Sequence, residues 1–154
     1  MIGGSLVASL VDTNILIYRW DPRDPRKQAL AEKLLRRYVG TELLYIPHQA
    51  VVEFMAVAPR IRWMDRQVLP PEDAIREAEE LLIEFPVLYP DETMVRTALR
   101  GMATYRLSWF DAHLWAYAEH YGISEILSEN FEHGRRYGTV LIRNPFIDAA
   151  PDVL

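Results

Sequence analysis

Hydrophobic and polar positions along the chain change period repeatedly, and each change marks an element. Residues 5–11 form a short apolar run that predicts a buried strand. Asp12, Thr13 and Asn14 follow it, three residue types that cap helices, and they predict a helix over 15–20. The Asp21-Pro22-Arg23-Asp24-Pro25 turn separates this from a helix over 26–39, with Leu30, Leu34, Leu35 and Tyr38 on one face. Residues 43–46 predict a second buried strand. Pro47 suits the first turn of a helix that runs to Ala58 and stops at Pro59.

Residues 60–70 carry Arg60, Arg62 and Arg66 around Trp63 and read as a loop or short helix. A helix follows from Pro71, with Glu72 and Asp73 favourably placed in its first turn and Ile75, Ala78, Leu81, Leu82 and Phe85 at helical spacing. A short extended piece over 87–89 precedes Pro90. Asp91 then caps a helix that places Val95, Ala98, Leu99 and Met102 inside. Ser108 starts another helix, which ends near Gly122, a residue suited to the position just past a helix. Strands are predicted over 125–128 and 139–142. The alternation predicts an α/β protein with a mostly parallel sheet. No repeat or linker interrupts it, so residues 1–154 are expected to form a single domain.

Composition narrows the chemistry. The chain has no cysteine, which excludes disulfides, thiolate zinc sites and cysteine nucleophiles, and its four histidines contain no HExxH pair. The start lacks the basic residues of a signal peptide, and no apolar run reaches membrane length. A cytoplasmic protein without a membrane partner is therefore expected. The formal charge of −5 argues at first against a nucleic-acid partner. Residues 67–92 alone, however, carry −7, and the rest of the chain is +2. An acidic outer helix leaves room for a local anion-binding groove elsewhere.

In parallel α/β sheets, ligands bind beyond the carboxyl ends of the strands. Asp12 sits there, either as a helix cap or as a metal ligand. Glu53 is the only Asp, Glu, Lys or Arg between residues 43 and 58, and no Lys or Arg stands three or four positions away. Burying such a carboxylate is costly unless it is paired or meets a cation. A solvent-facing position, a distant arginine and a cation site all remain open for it. Asp111 lies in Ser108-Trp109-Phe110-Asp111, which fits a capping box but opens a helix that is apolar nearly all round. The fourth post-strand position is Ser128-Glu129-Asn130, where Asn130 offers a neutral oxygen and Glu129 a neighbouring carboxylate. Oxygen-only ligands favour Mg²⁺ or Mn²⁺ over zinc.

Val11-Asp12-Thr13-Asn14, the lone Glu53, the 107–112 segment Leu-Ser-Trp-Phe-Asp-Ala and the 126–131 segment Ile-Leu-Ser-Glu-Asn-Phe occur in the order of a known family. So does the ending through Gly134, Gly138-Thr139-Val140 and Arg143-Asn144-Pro145-Phe146. Over roughly residues 6–146 the chain resembles PIN-domain proteins, most closely the VapC toxins of toxin–antitoxin pairs. The resemblance implies a three-layer α/β/α fold and a Mg²⁺- or Mn²⁺-dependent endoribonuclease. It implies catalytic and metal-binding roles for Asp12, Glu53 and Asp111, supported by Thr13 and Ser128, while Glu129 enters from its position as a carboxylate able to contribute in place of Asn130. The family's usual fourth acid falls on Asn130, so Asn130 enters the ligand set as a neutral residue. That departure leaves a catalytically weak or inactive PIN-like module, binding RNA or a partner protein, as the alternative.

The resemblance also implies an RNA substrate, a homodimer and a VapB-like antitoxin. Trp63 with Arg60, Arg62 and Arg66 offers a docking surface for the antitoxin, although packing accounts for a lone tryptophan equally well. A phosphatase of the haloacid dehalogenase type would need a second acid where Asn14 stands. A 5′-nuclease-like DNA enzyme would need more acids and a longer chain.

Overall fold

The computed structural model describes residues 6–147. In chain order the elements are β1 (Ser9–Val11), α1 (Thr13–Tyr18), α2 (Pro25–Tyr38), β2 (Leu44–Pro47) and α3 (His48–Val57). A 3₁₀ turn (Ala58–Arg60) leads to β3 (Arg62–Trp63) and β4 (Arg66–Gln67). Then come α4 (Pro71–Glu84), β5 (Val87–Leu88), α5 (Glu92–Tyr105), α6 (Trp109–Tyr121), β6 (Glu125–Leu127), β7 (Arg136–Tyr137) and β8 (Val140–Arg143).

The main sheet has the strand order β5-β2-β1-β6-β8-β7. Every pairing in it is parallel except that of β7 with β8. β1 lies at the centre, with Leu10 opposite Tyr45 of β2 and Ile126 of β6. Successive strand residues point to opposite faces, and both faces are covered. Val11, Leu44, Ile46 and Leu127 pack with buried residues of α1 to α4. Leu10, Ile126, Val140 and Ile142 pack with α5 and α6. The three-layer α/β/α arrangement expected from the sequence is therefore present. Among the described residues, no helix is long and apolar enough to cross a membrane.

Several local expectations change. The first strand is paired only from Ser9, because β1 meets its neighbours over Ser9–Val11 alone, and Ser5 lies outside the described residues. The 60–70 stretch contains a tight antiparallel hairpin, not merely a loop or short helix. Met64 and Asp65 at its tip both have positive φ, the geometry that two-residue hairpins require. β7 carries too few residues to show a period in the sequence. On α4 and α5 the inward faces are shifted in part from those expected. Ala78, Leu81, Phe85 and Ala98 are buried as expected, but Ile75, Leu82 and Leu99 are exposed, and Ala74, Met94 and Gly101 are buried. Small residues let these helices approach closely, so the buried stripe follows size as well as hydropathy.

Gly101 shows the constraint most directly. A Cβ there would lie 2.6 Å from Cζ3 and 2.8 Å from Cε3 of Trp115. Trp115 cannot easily yield, because its Nε1–H donates to the Tyr137 carbonyl at 2.9 Å and its ring meets Tyr105 edge-on. Gly101→Ala should therefore destabilise the fold by about 1–2 kcal/mol, the overpacking cost less the gain in helix propensity. Thermal denaturation measures this, and an unchanged or raised Tm would show that the α5–α6 contact is not close-packed.

Candidate active site

The parallel pairing of β1 with β6 decides where the first acid stands. Asp12 follows β1, Ser128 follows β6, and the two strands are hydrogen-bonded neighbours. The Asp12 N–H donates to the Leu127 carbonyl at 3.0 Å, which ties the two strand ends together. Asp12 is the N-cap of α1, where its Oδ1 accepts the Thr13 N–H at 2.7 Å. Its Oδ2 accepts the Ser128 hydroxyl at 2.6 Å and the Asn130 amide at 3.4 Å. The cap and the candidate site are thus one residue.

Asp12 is only 6% exposed. Burial above all, opposed by the hydrogen bonds from Ser128 and Thr13 and aided by the charges of Glu53 and Asp111, leaves its carboxyl pushed up to about 6. Among the described residues, no cation figures among these influences. The group is a desolvated carboxylate held by neutral donors and facing two other acids.

Glu53 arrives from α3 on the other side of Thr13. The Thr13 hydroxyl donates to Glu53 Oε2 at 2.7 Å, so one threonine touches both carboxylates. Gln49, one turn earlier on α3, donates from Nε2 to Glu53 Oε1 at 2.9 Å. Glu53 is half-buried, and both its oxygens are held by neutral groups. Asp111 sits in the first turn of α6, where its N–H donates to the Ser108 hydroxyl at 3.2 Å. Burial pushes its carboxyl up; a hydrogen bond to Ser108 opposes this, and the Glu53 charge adds to the rise.

The remaining expected residues are placed as follows. The Ser128 hydroxyl bridges the site, donating to Asp12 and accepting the Asn130 N–H at 3.0 Å. Asn130 is exposed and turns its amide nitrogen, not its oxygen, towards Asp12. Glu129 is engaged elsewhere, with Lys27 Nζ at 2.7 Å and a hydrogen bond from the Tyr18 hydroxyl. Among the described residues, no three His, Cys, Asp or Glu side chains stand close enough together to hold one metal ion. Asp12, Glu53 and Asp111 share a field rather than a ready-made shell.

Two residues escaped the sequence reading. Gln49 bridges Glu53 and the Phe110 carbonyl, the latter at 3.3 Å, and so joins α3 to the start of α6. His113 Nδ1 lies 2.7 Å from Gln49 Oε1. Burial lowers the proton affinity of His113 and the Glu53 charge opposes that. The (i, i+4) spacing of Gln49 and Glu53 was the available signal for the first. Nothing in the sequence placed His113 against another helix.

The PIN domain family model matches residues 9–138. No curated protein matches the sequence. Three solved structures illustrate the similarity of fold. A toxin–antitoxin complex from Klebsiella pneumoniae is 18% identical with a TM-score of 0.64, covering 89% of this chain and 97% of its own. The DNA-bound VapBC of Salmonella typhimurium is 14% identical with a TM-score of 0.64, covering 90% and 98%. VapC20 of Mycobacterium tuberculosis, a toxin that cleaves the sarcin–ricin loop, is 16% identical with a TM-score of 0.59, covering 77% and 86%.

The raised Asp12 carboxyl has a stability consequence. Between about pH 4 and 6 the folded chain keeps a proton there that the unfolded chain has released. Stability therefore falls as pH rises through this window, by on the order of 3 kcal/mol from this group. Asp12→Asn should raise stability at pH 7.5, and the gain should vanish below pH 4. Denaturant unfolding across pH measures it, and a destabilised variant at pH 7.5 would contradict the burial of an unbalanced charge.

Proposed function

The chain belongs to the PIN domain family, and on that premise we propose that it is a Mg²⁺- or Mn²⁺-dependent endoribonuclease, the toxin of a VapBC-type toxin–antitoxin pair. The observation that carries this reading is the buried Asp12 carboxylate, held by neutral donors and repelled by Glu53 and Asp111. Such a site is short of one positive charge. Its donor set is all oxygen, which suits a hard divalent cation. Mg²⁺ takes one or two carboxylates and keeps several waters, so it does not need three acids in contact.

Asp12 and Asp111 are the residues proposed to hold the ion, with Glu53 and Asn130 acting directly or through water. A bound divalent cation polarises a phosphate and lowers the pKa of a water beside it. The chain's own work is orientation. Thr13 and Gln49 fix both oxygens of Glu53, and Ser128 and the Thr13 N–H fix those of Asp12. Carboxylates held in this way accept hydrogen bonds from a water and aim it in line at the phosphorus, forming no covalent bond themselves.

The RNA substrate draws support from the VapC20 neighbour, named for cleaving the sarcin–ricin loop. The VapB-like partner draws it from neighbours solved as toxin–antitoxin complexes. The charge distribution is compatible with RNA. The −7 of residues 67–92 falls largely on α4, whose Glu72, Glu79 and Glu80 are exposed. The Arg62–Gln67 hairpin exposes Trp63, Arg62 and Arg66, a basic and aromatic surface suited to the antitoxin. A single domain over 1–154, a homodimer and a cytoplasmic location complete the reading.

One observation favours a second reading, a weak or inactive PIN-like binding module. Asn130 gives Asp12 an amide donor where the resemblance implies another acid. That amide partly satisfies Asp12 without a metal.

Cleavage of total RNA with and without Mg²⁺ or Mn²⁺ separates the two. Asp12→Asn and Asp111→Asn should each abolish metal-dependent cleavage while leaving a folded protein by circular dichroism. Retained cleavage in both variants refutes the assignment. Asn130→Asp should lower the Tm without metal, because it replaces a donor to Asp12 by a like charge. The same change should tighten Mn²⁺ binding by about tenfold and raise activity, roughly 1–2 kcal/mol for one further charge at the ion.

A further inference from the structure

The amide of Gln49 is asymmetric, and its surroundings decide which end faces which partner. One end lies 3.3 Å from the Phe110 carbonyl and 2.9 Å from Glu53 Oε1. A carbonyl oxygen only accepts hydrogen bonds, so this end must be the NH₂ group. The other end is then the oxygen, which faces His113 Nδ1 at 2.7 Å. An oxygen there can only accept, so Nδ1 must carry the proton. In a neutral imidazole, the proton on one nitrogen leaves the other without one.

From this geometry we infer that His113 is a positioning residue, held with its proton on Nδ1, that anchors the oxygen end of the Gln49 amide and through it steadies the carboxylate of Glu53. The inference rests on the ribonuclease reading only for its effect on rate; the placement of the proton rests on the hydrogen bonds alone. His113 is itself braced. Its ring lies against Trp109 at 5.4 Å and meets Tyr117 edge-on at 5.2 Å, and Tyr117 is fully buried. The chain of contacts runs from α6 to α3 to α1: His113, Gln49, Glu53, Thr13, Asp12. If the His113 donor is removed, the Gln49 amide keeps its orientation towards Glu53 and the Phe110 carbonyl but loses the hydrogen bond that anchors its oxygen, so the side chain that braces Glu53 is held less firmly.

The arrangement also fixes which substitutes work. Asparagine places an amide nitrogen close to the position of Nδ1, whereas glutamine reaches towards that of Nε2. His113→Asn can therefore still donate to Gln49, and His113→Gln cannot do so without moving its backbone.

Two measurements on the full chain test the inference. The first is ¹⁵N NMR of the histidine side chains at pH 8, where His113 is neutral. The expected result is the Nδ1–H tautomer for His113 in the wild type, lost in Gln49→Ala. An Nε2–H tautomer in the wild type, or no change in Gln49→Ala, overturns the inference whatever the activity. The second is RNA cleavage with saturating Mn²⁺. His113→Phe and His113→Gln should lower kcat on the order of 10- to 100-fold, the usual effect of losing a partner that orients a ligand. KM should stay within about twofold, and His113→Asn should recover most of the rate. Equal loss in Asn and Gln variants, or a change in KM alone, overturns the positioning role. A wild type that carries the Nδ1–H tautomer, coupled to Gln49, yet cleaves no RNA with either metal refutes the ribonuclease reading and upholds the placement of the His113 proton against Gln49.

Discussion

A carboxylate buried without a counter-charge is the constraint around which this molecule is arranged. Parallel pairing of β1 and β6 brings Asp12 and Ser128 side by side at the carboxyl edge of the sheet. The turn into α1 then buries Asp12 as that helix's cap. A buried ion is tolerable when it is well hydrogen-bonded, and three neutral donors supply that support. They do not cancel the charge. Glu53 and Asp111 add to the problem by bringing their own fields to the same edge. The chain thus carries a local destabilisation that its close-packed helical layers must offset. Sites with strongly shifted carboxyls are where function concentrates, and the proposed divalent cation is the simplest agent that would relieve this one.

The rest of the site rigidifies that edge. Thr13 spaces Asp12 from Glu53 by binding one through its backbone and the other through its hydroxyl. Gln49 fastens α3 to α6. Two of these contacts, Thr13 with Glu53 and Gln49 with the Phe110 carbonyl, join residues far apart in sequence. Asp12 and Glu53 are therefore held in fixed orientations relative to each other. Glu129, in contrast, is drawn out of the group by Lys27 and Tyr18.

The alternation of strands and helices, and with it a mostly parallel sheet, was legible in the sequence because buried parallel strands and amphipathic helices have distinct periods, while the three layers were implied by the family resemblance. Asp12 was legible because it directly follows an apolar run, and Glu53 because it stands alone among apolar residues. What the sequence hid was contact at a distance. Glu129 reads like Asp12, a carboxylate just after a strand, and only the fold shows Lys27 beside it. Asn130 reads as an oxygen ligand, yet it presents its nitrogen to Asp12. Gln49 and His113 are ordinary residues in ordinary helices until α3 and α6 meet. Ile75, Leu82 and Leu99 keep helical spacing but are exposed, and Gly101 takes an inward position on α5 because Trp115 leaves no room there for a side chain. The two-residue strands β3, β4 and β7 are too short to carry any period.

The central claim, an uncompensated buried charge at Asp12, is tested most directly by titrating its side-chain carboxyl carbon by ¹³C NMR, with and without Mg²⁺. The account predicts a midpoint at about 6 in the metal-free protein. It predicts a midpoint lower by more than about one unit when Mg²⁺ is present, since a nearby cation favours the ionised form. A metal-free midpoint at or below the ordinary aspartate value, unmoved by Mg²⁺, would contradict it.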